Sequence, residues 1–131
     1  MQRFRILILL FSAMFLSTAH ATAPLVCGTY SIVGIVEVRG PSATLVIFPG
    51  SLSETRLRLR ASAADPRAGV SALMSIRAFS GAKVRVEGRI RKTVSDRSGE
   101  LELLSFERAI GSEIKEGGAE ALKLLEKIQC G

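Results

Sequence analysis

Lys83-Val84-Arg85-Val86-Glu87-Gly88-Arg89-Ile90-Arg91 sets charged against small or apolar positions without interruption, the period-two pattern of a strand with one face on a core and the other in solvent. Val84, Val86 and Ile90 are assigned inward, and Lys83, Arg85, Glu87, Arg89 and Arg91 outward. Upstream, Glu54-Thr55-Arg56-Leu57-Arg58-Leu59-Arg60 repeats the alternation, with both leucines inward and three arginines outward. These two ribbons place the chain among β proteins, and the remaining segments are read around them.

Towards the N-terminus, residues 29–39 are rich in β-branched side chains, and Tyr30, Ile32, Gly34, Val36 and Val38 share one face. Gly34 in mid-strand marks a bulge or sharp coil, by which one long strand can serve two sheets. A turn at Gly40-Pro41-Ser42 leads to a buried strand over 43–48, closed by Pro49-Gly50. Between the two alternating ribbons the pattern changes. Val70, Leu73, Met74, Ile76 and Phe79 fall at helical intervals, with Asp65 placed to cap, Pro66 at the first helical position and Gly81 to stop.

After the ribbon at 83–91, the polar stretch Ser95-Asp96-Arg97-Ser98-Gly99 reads as a hairpin turn into a fifth strand over 100–106, with Leu101 and Leu103 inward. In the tail, Leu122, Leu125 and Ile128 are helically spaced after Gly117-Gly118. A C-terminal helix over 119–129 is expected, its leucine stripe docked on the barrel.

Five strands with a helix between the third and fourth is the order of a Greek-key barrel of the oligonucleotide/oligosaccharide-binding (OB) type. Tyr30-x-Ile32-x-Gly34-x-Val36 and Val84-x-Val86-x-Gly88-x-Ile90 are similar to strands of bacterial proteins with this fold. Together with the N-terminus described next, the chain resembles the small exported OB-fold proteins of bacteria. The resemblance implies a ligand-binding barrel. The Asp-rich stretch those proteins often carry near their strand turns is missing, so no ligand or binding residue is carried over.

Met1-Gln-Arg-Phe-Arg5, an apolar run over 6–16 and the small residues Ser17-Thr-Ala-His-Ala-Thr-Ala23 match the three regions of a secretory signal. The apolar run is well short of the roughly 20 residues of a membrane span. Of the two Ala-x-Ala sites, cleavage after Ala21 avoids leaving Pro24 next to the cut. The expected division is a signal peptide at 1–21 and a single domain at 22–131, periplasmic or secreted, with no membrane anchor once the signal is removed. Loss of Arg3 and Arg5 reduces the 18 basic residues to 16 against 12 acidic ones, a net charge of +4.

Cys27 and Cys130, one near each end of the mature chain, are expected to form a disulfide in an oxidising compartment. A loop of this length corresponds to about 4–5 kcal/mol in the chain-entropy model. A redox pair would normally occupy a Cys-x-x-Cys turn. The sole histidine, His20, lies in the signal. The mature domain therefore lacks the imidazole required by Ser-His-Asp and Cys-His catalysis and by His-ligated zinc. Asp65, Asp96 and the glutamates show no acid and base pairing or calcium-loop spacing. No enzyme activity, cofactor or metal is expected.

The arginines carry the main binding expectation. Arg56, Arg58 and Arg60 on the third strand, with Arg85, Arg89 and Arg91 on the fourth, form a face able to attract an acidic small ligand, a glycan or a protein partner. The competing explanation is a solvated outer face that guards strand edges, partly neutralised by Glu54, Glu87, Glu100 and Glu102 through cross-strand pairing. An interaction or inhibitory domain acting through the loops at Pro41 and 95–99 is the alternative. Nucleic acid is disfavoured as a partner, because the mature aromatics Tyr30, Phe48, Phe79 and Phe106 fall at core or core-edge positions and not on a stacking surface. Single-strand binding in DNA uptake or conjugation is the special case. Gly117-Gly118 is read as a hinge, with anion binding at the helix start as its functional counterpart.

Overall fold

The computed structural model describes residues 24–109 and 121–131. The expected signal peptide, its cleavage sites and Gly117-Gly118 lie outside the described residues. The elements are β1 (Gly28–Arg39), β2 (Ser42–Ile47), β3 (Thr55–Ala61), α1 (Pro66–Ile76) with a 3-10 turn at Arg77–Phe79, β4 (Lys83–Ser95), β5 (Ser98–Arg108) and β6 (Leu122–Lys127). Strands β1 to β5 close into a ring: β1 pairs with β2 and β4, β3 with β2 and β5, and β4 with β5. Every pairing is antiparallel except β3 with β5. This is the expected mainly β, OB-like five-stranded barrel with a helix between β3 and β4.

The alternation read from the sequence becomes the inside and outside of this ring. Ile32, Val36, Leu45, Ile47, Leu57, Val84, Val86, Ile90, Leu101 and Leu103 are fully buried. Within the ring the long β1 pairs with β4 from Gly28 to Ile35 and with β2 from Ile35 to Arg39. At the crossover, a Cβ on Gly34 would stand 2.7 Å from the Val46 carbonyl oxygen and 3.0 Å from Leu45 Cγ, so only glycine lets the strands approach. The β1–β4 register runs unbroken through Gly34. Gly34 therefore permits a close approach of β1 to β2 and is not a bulge in the β1–β4 ladder.

Asp65 caps α1, its carboxylate accepting a hydrogen bond from the Ala68 amide at 3.2 Å, and Pro66 occupies the first turn. Only part of the apolar stripe is covered: Ile76 is buried, Leu73 and Phe79 are half-buried, and Val70 and Met74 are exposed. Gly81, at φ +83°, turns the chain back into β4. Tyr30 is buried and donates its hydroxyl to the Val26 carbonyl at 2.7 Å. Phe79 and Phe106 meet edge to face, with centroids 5.4 Å apart.

The C-terminal helix is corrected by the structure, since Leu122–Lys127 is a strand, β6, paired antiparallel with the first half of β1. Residues 119–120 of the expected helix lie outside the described residues. In β6, Leu122 is half-buried while Leu124 and Leu125 are exposed. The reason lies in β1. Because β2 covers only its second half, the first half would carry unmatched backbone donors and acceptors along one edge, and β6 satisfies them.

The same pairing brings Cys27, just before β1, to Cys130, just after β6. They form a disulfide with Cα atoms 5.4 Å apart across 103 positions. Such a pair points to a non-cytoplasmic, oxidising setting. Among the described residues no helix is long and apolar enough to cross a membrane.

Candidate ligand-binding face

The outer side of β3, β5 and β4 carries the predicted arginines, and strand register fixes their neighbours. Thr44, Arg58, Glu100 and Lys92 stand abreast on β2, β3, β5 and β4. The next row is Arg60, Glu102, Arg89 and Thr29 on β3, β5, β4 and β1. A register shift between Ile90 and Lys92 inserts Arg91 as an extra residue, so both Arg91 and Lys92 are exposed. Four of the six predicted arginines, Arg58, Arg60, Arg89 and Arg91, thus belong to one neighbourhood. Arg56 and Arg85 do not. Arg56 pairs with Glu37 at 2.8 Å and approaches Glu54 at 3.8 Å, while Arg85 sits opposite Glu107, four residues along β4 from Arg89, about 13 Å at the usual strand rise.

Neutralisation within the neighbourhood is uneven. Arg60 stands opposite Glu102 in register, yet donates at 2.9 Å to Glu100 in the adjacent row. The Arg60 hydrogen bond, with the charges of Arg60, Lys92 and Arg58, holds the Glu100 carboxyl below its usual range against the opposing effect of desolvation. Glu102 has Arg91 Nε 3.4 Å from Oε1. Its Oε2 is shut off from solvent and accepts no hydrogen bond. Arg58 and Arg89 make no ion pair among the described residues.

A hollow of about 400 Å³ opens over this junction, lined by Arg60, Ala61, Ala63, Arg91, Lys92, Glu100, Glu102 and Gly131. Gly131 is brought there by the disulfide at Cys130 and donates its amide to the Arg91 carbonyl at 3.1 Å. Across Arg91 and Gly131 lies a second hollow of about 360 Å³, which includes Thr29, Arg89 and Glu126. No aromatic side chain lines either one. Among the described residues no group of three or more His, Cys, Asp or Glu side chains could hold a metal ion.

Sequence reasoning found the arginines and two of their acids, Glu100 and Glu102, but missed Lys92, Ala61, Ala63 and Gly131. Lys92 was hidden because the bulge interrupts the alternation, and Gly131 because its position depends on a crosslink distant in sequence. The predicted loops are held by separate elements. Arg77 donates to the carbonyls of Gly40 and Pro41, whereas Asp96 and Arg97 offer their carbonyls to the amides of Leu25 and Arg56. The chain matches no protein-family model, no curated protein and no solved structure.

Proposed function

We propose that the chain is a non-catalytic exported binding module that holds an acidic ligand on the outer face of β3, β5 and β4. The observation that carries this reading is the uneven neutralisation of that face. Arg58, in the row of Glu100 and Lys92, and Arg89, which lines the second hollow, have charges not matched by any ion pair among the described residues, while Arg56, Arg60, Arg85 and Arg91 are matched. An unpaired cation beside a concavity is available to an incoming anion, and Arg89 beside the second hollow has that placement.

Charge reversal tests the proposal. Arg58→Glu combined with Arg89→Glu is expected to weaken binding to inorganic polyphosphate and to reduce the slope of log Kd against log salt by about two, one for each lost contact. An unchanged slope would remove the basic face as the binding surface.

A second reading, docking of a protein partner, rests on Leu52 in the β2–β3 loop and not on the loops at Pro41 and 95–99. This residue is 99% exposed between β2 and β3, on a loop tied by Ser51, Ser53, Glu54 and Thr55 hydrogen bonds and entered through Phe48 at φ +52°. A preorganised loop that displays a bare leucine suits insertion into an apolar pocket of a partner.

A further inference from the structure

We infer that the second hollow, over β6, β1 and β4, is a subsite for an acidic α-amino acid, its ammonium taken by Glu126 and its carboxylates by Arg89 and Arg91; this rests on the availability of Arg89 in the binding face proposed above and names the ligand class.

Register places the two charges that matter. Glu126 on β6, Thr29 on β1 and Arg89 on β4 are cross-strand neighbours in one row, so their side chains rise on the same face of the sheet. The backbones of Glu126 and Arg89 stand two strand spacings apart, roughly 10 Å, with only the short Thr29 between them. They do not pair with each other, and neither makes an ion pair with any other described residue. Glu126 is exposed, Arg89 is half-buried, and both line the hollow, so each is reachable from it.

Opposite charges left open across a small residue select a ligand that carries both. An α-amino acid holds its carboxylate and ammonium on one carbon, and that group bridges the gap above Thr29, with the carboxylate on the Arg89 guanidinium and the ammonium on Glu126. A simple anion gains from Arg89 but is opposed by Glu126. The charged side chains of the lining are two arginines and one glutamate, the complement of a ligand with two carboxylates and one ammonium. Arg91 turns its Nε toward Glu102 at 3.4 Å, and a guanidinium has further donors for the second carboxylate. Ile128 gives the methylenes of the ligand an apolar wall, and the volume of about 360 Å³ lies within the range of small-ligand sites, roughly 300–1,000 Å³. The first hollow lacks this arrangement, because its carboxylates, Glu100 and Glu102, are both engaged by arginines.

Calorimetry with L-glutamate and with glutarate, which keeps both carboxylates and lacks the ammonium, tests the assignment. The wild-type chain is expected to bind glutamate about fivefold tighter or more, the scale of one solvent-accessible charge contact. Glu126→Gln, at an exposed position, should erase that preference and leave glutarate binding equal or tighter, while Arg89→Gln should weaken both ligands. The subsite is overturned if the wild-type chain binds the two ligands equally, if a preference for glutamate survives Glu126→Gln, or if glutamate binding is unchanged by Arg89→Gln. A wild-type chain that is retained on inorganic polyphosphate but binds neither small ligand also overturns the subsite, and leaves the basic face standing. Binding of none of the three removes both.

Discussion

β3 and β6 are both short strands with leucines among charged residues, yet Leu57 and Leu59 of β3 are 0% and 4% exposed whereas Leu124 and Leu125 of β6 are 42% and 47% exposed. β3 lies between two strands of a closed ring, with β2 on one side and β5 on the other, and its inward leucines fill the core. β6 pairs only with β1 among the described residues and lies outside the ring. β6 is held by backbone pairing on one side, a disulfide and the half-buried Leu122 against the core; β3 is held by pairing on both sides and by full burial of its leucines. Leucine content alone therefore says little about what stabilises a segment.

The largest expected effect comes from removing the covalent support on the β6 side. Cys27→Ser with Cys130→Ser should cost about 4–5 kcal/mol in urea unfolding by the chain-entropy relation. In hydrogen exchange, β6 amides should lose protection well before those of β3. Equal loss in both strands would make β6 an integral part of the barrel and erase the contrast. Next in size, Leu57→Ala should destabilise by about 3 kcal/mol through the cavity it leaves, while Leu125→Ala should remain within about 0.5 kcal/mol, as surface changes usually do. Similar losses for the two would show that the leucines of β6 contribute as core.

The smallest effect concerns the outer charges. The Glu100 carboxyl is lowered chiefly by its hydrogen bond from Arg60 of β3. A lowered carboxylate contributes stability that is present above its ordinary pKa, near 4.5, and is lost as pH falls through the lowered value. Arg60→Gln should raise the Glu100 titration midpoint followed by NMR and weaken this acid-side dependence. On β6, Lys127 makes no ion pair among the described residues, so Lys127→Gln should leave the Glu100 midpoint where it is.

Five barrel strands and α1 were legible because each carries its own local signal. Val84, Val86 and Ile90 alternate with charges, Asp65-Pro66 starts the helix, and the polar run at 95–99 marks the hairpin. β6 was not legible, since Leu122, Leu125 and Ile128 fit a helical stripe equally well. An expected helix of only eleven residues gains little from helix propensity when isolated, so the edge of β1 decided the form of Leu122–Lys127. At the site, the arginines were evident, but their grouping was not. Alternation lists Arg56, Arg58 and Arg60 as equals, whereas Glu37 engages Arg56, Glu100 engages Arg60, and Arg58 is left without an ion pair among the described residues.

The sequence by itself determined the β class, the inward faces of β3, β4 and β5, the capped helix and the pairing of two distant cysteines. Periodicity, turn chemistry and a count of thiols are properties of short stretches or of composition. Only the tertiary structure decided that the tail is a strand, that a bulge turns both Arg91 and Lys92 outward, and that Glu102 keeps a buried oxygen without a donor beside a hollow walled by Gly131. Those outcomes depend on which backbone edge is open and which charge reaches which partner, contacts made only once residues far apart in the chain are folded side by side.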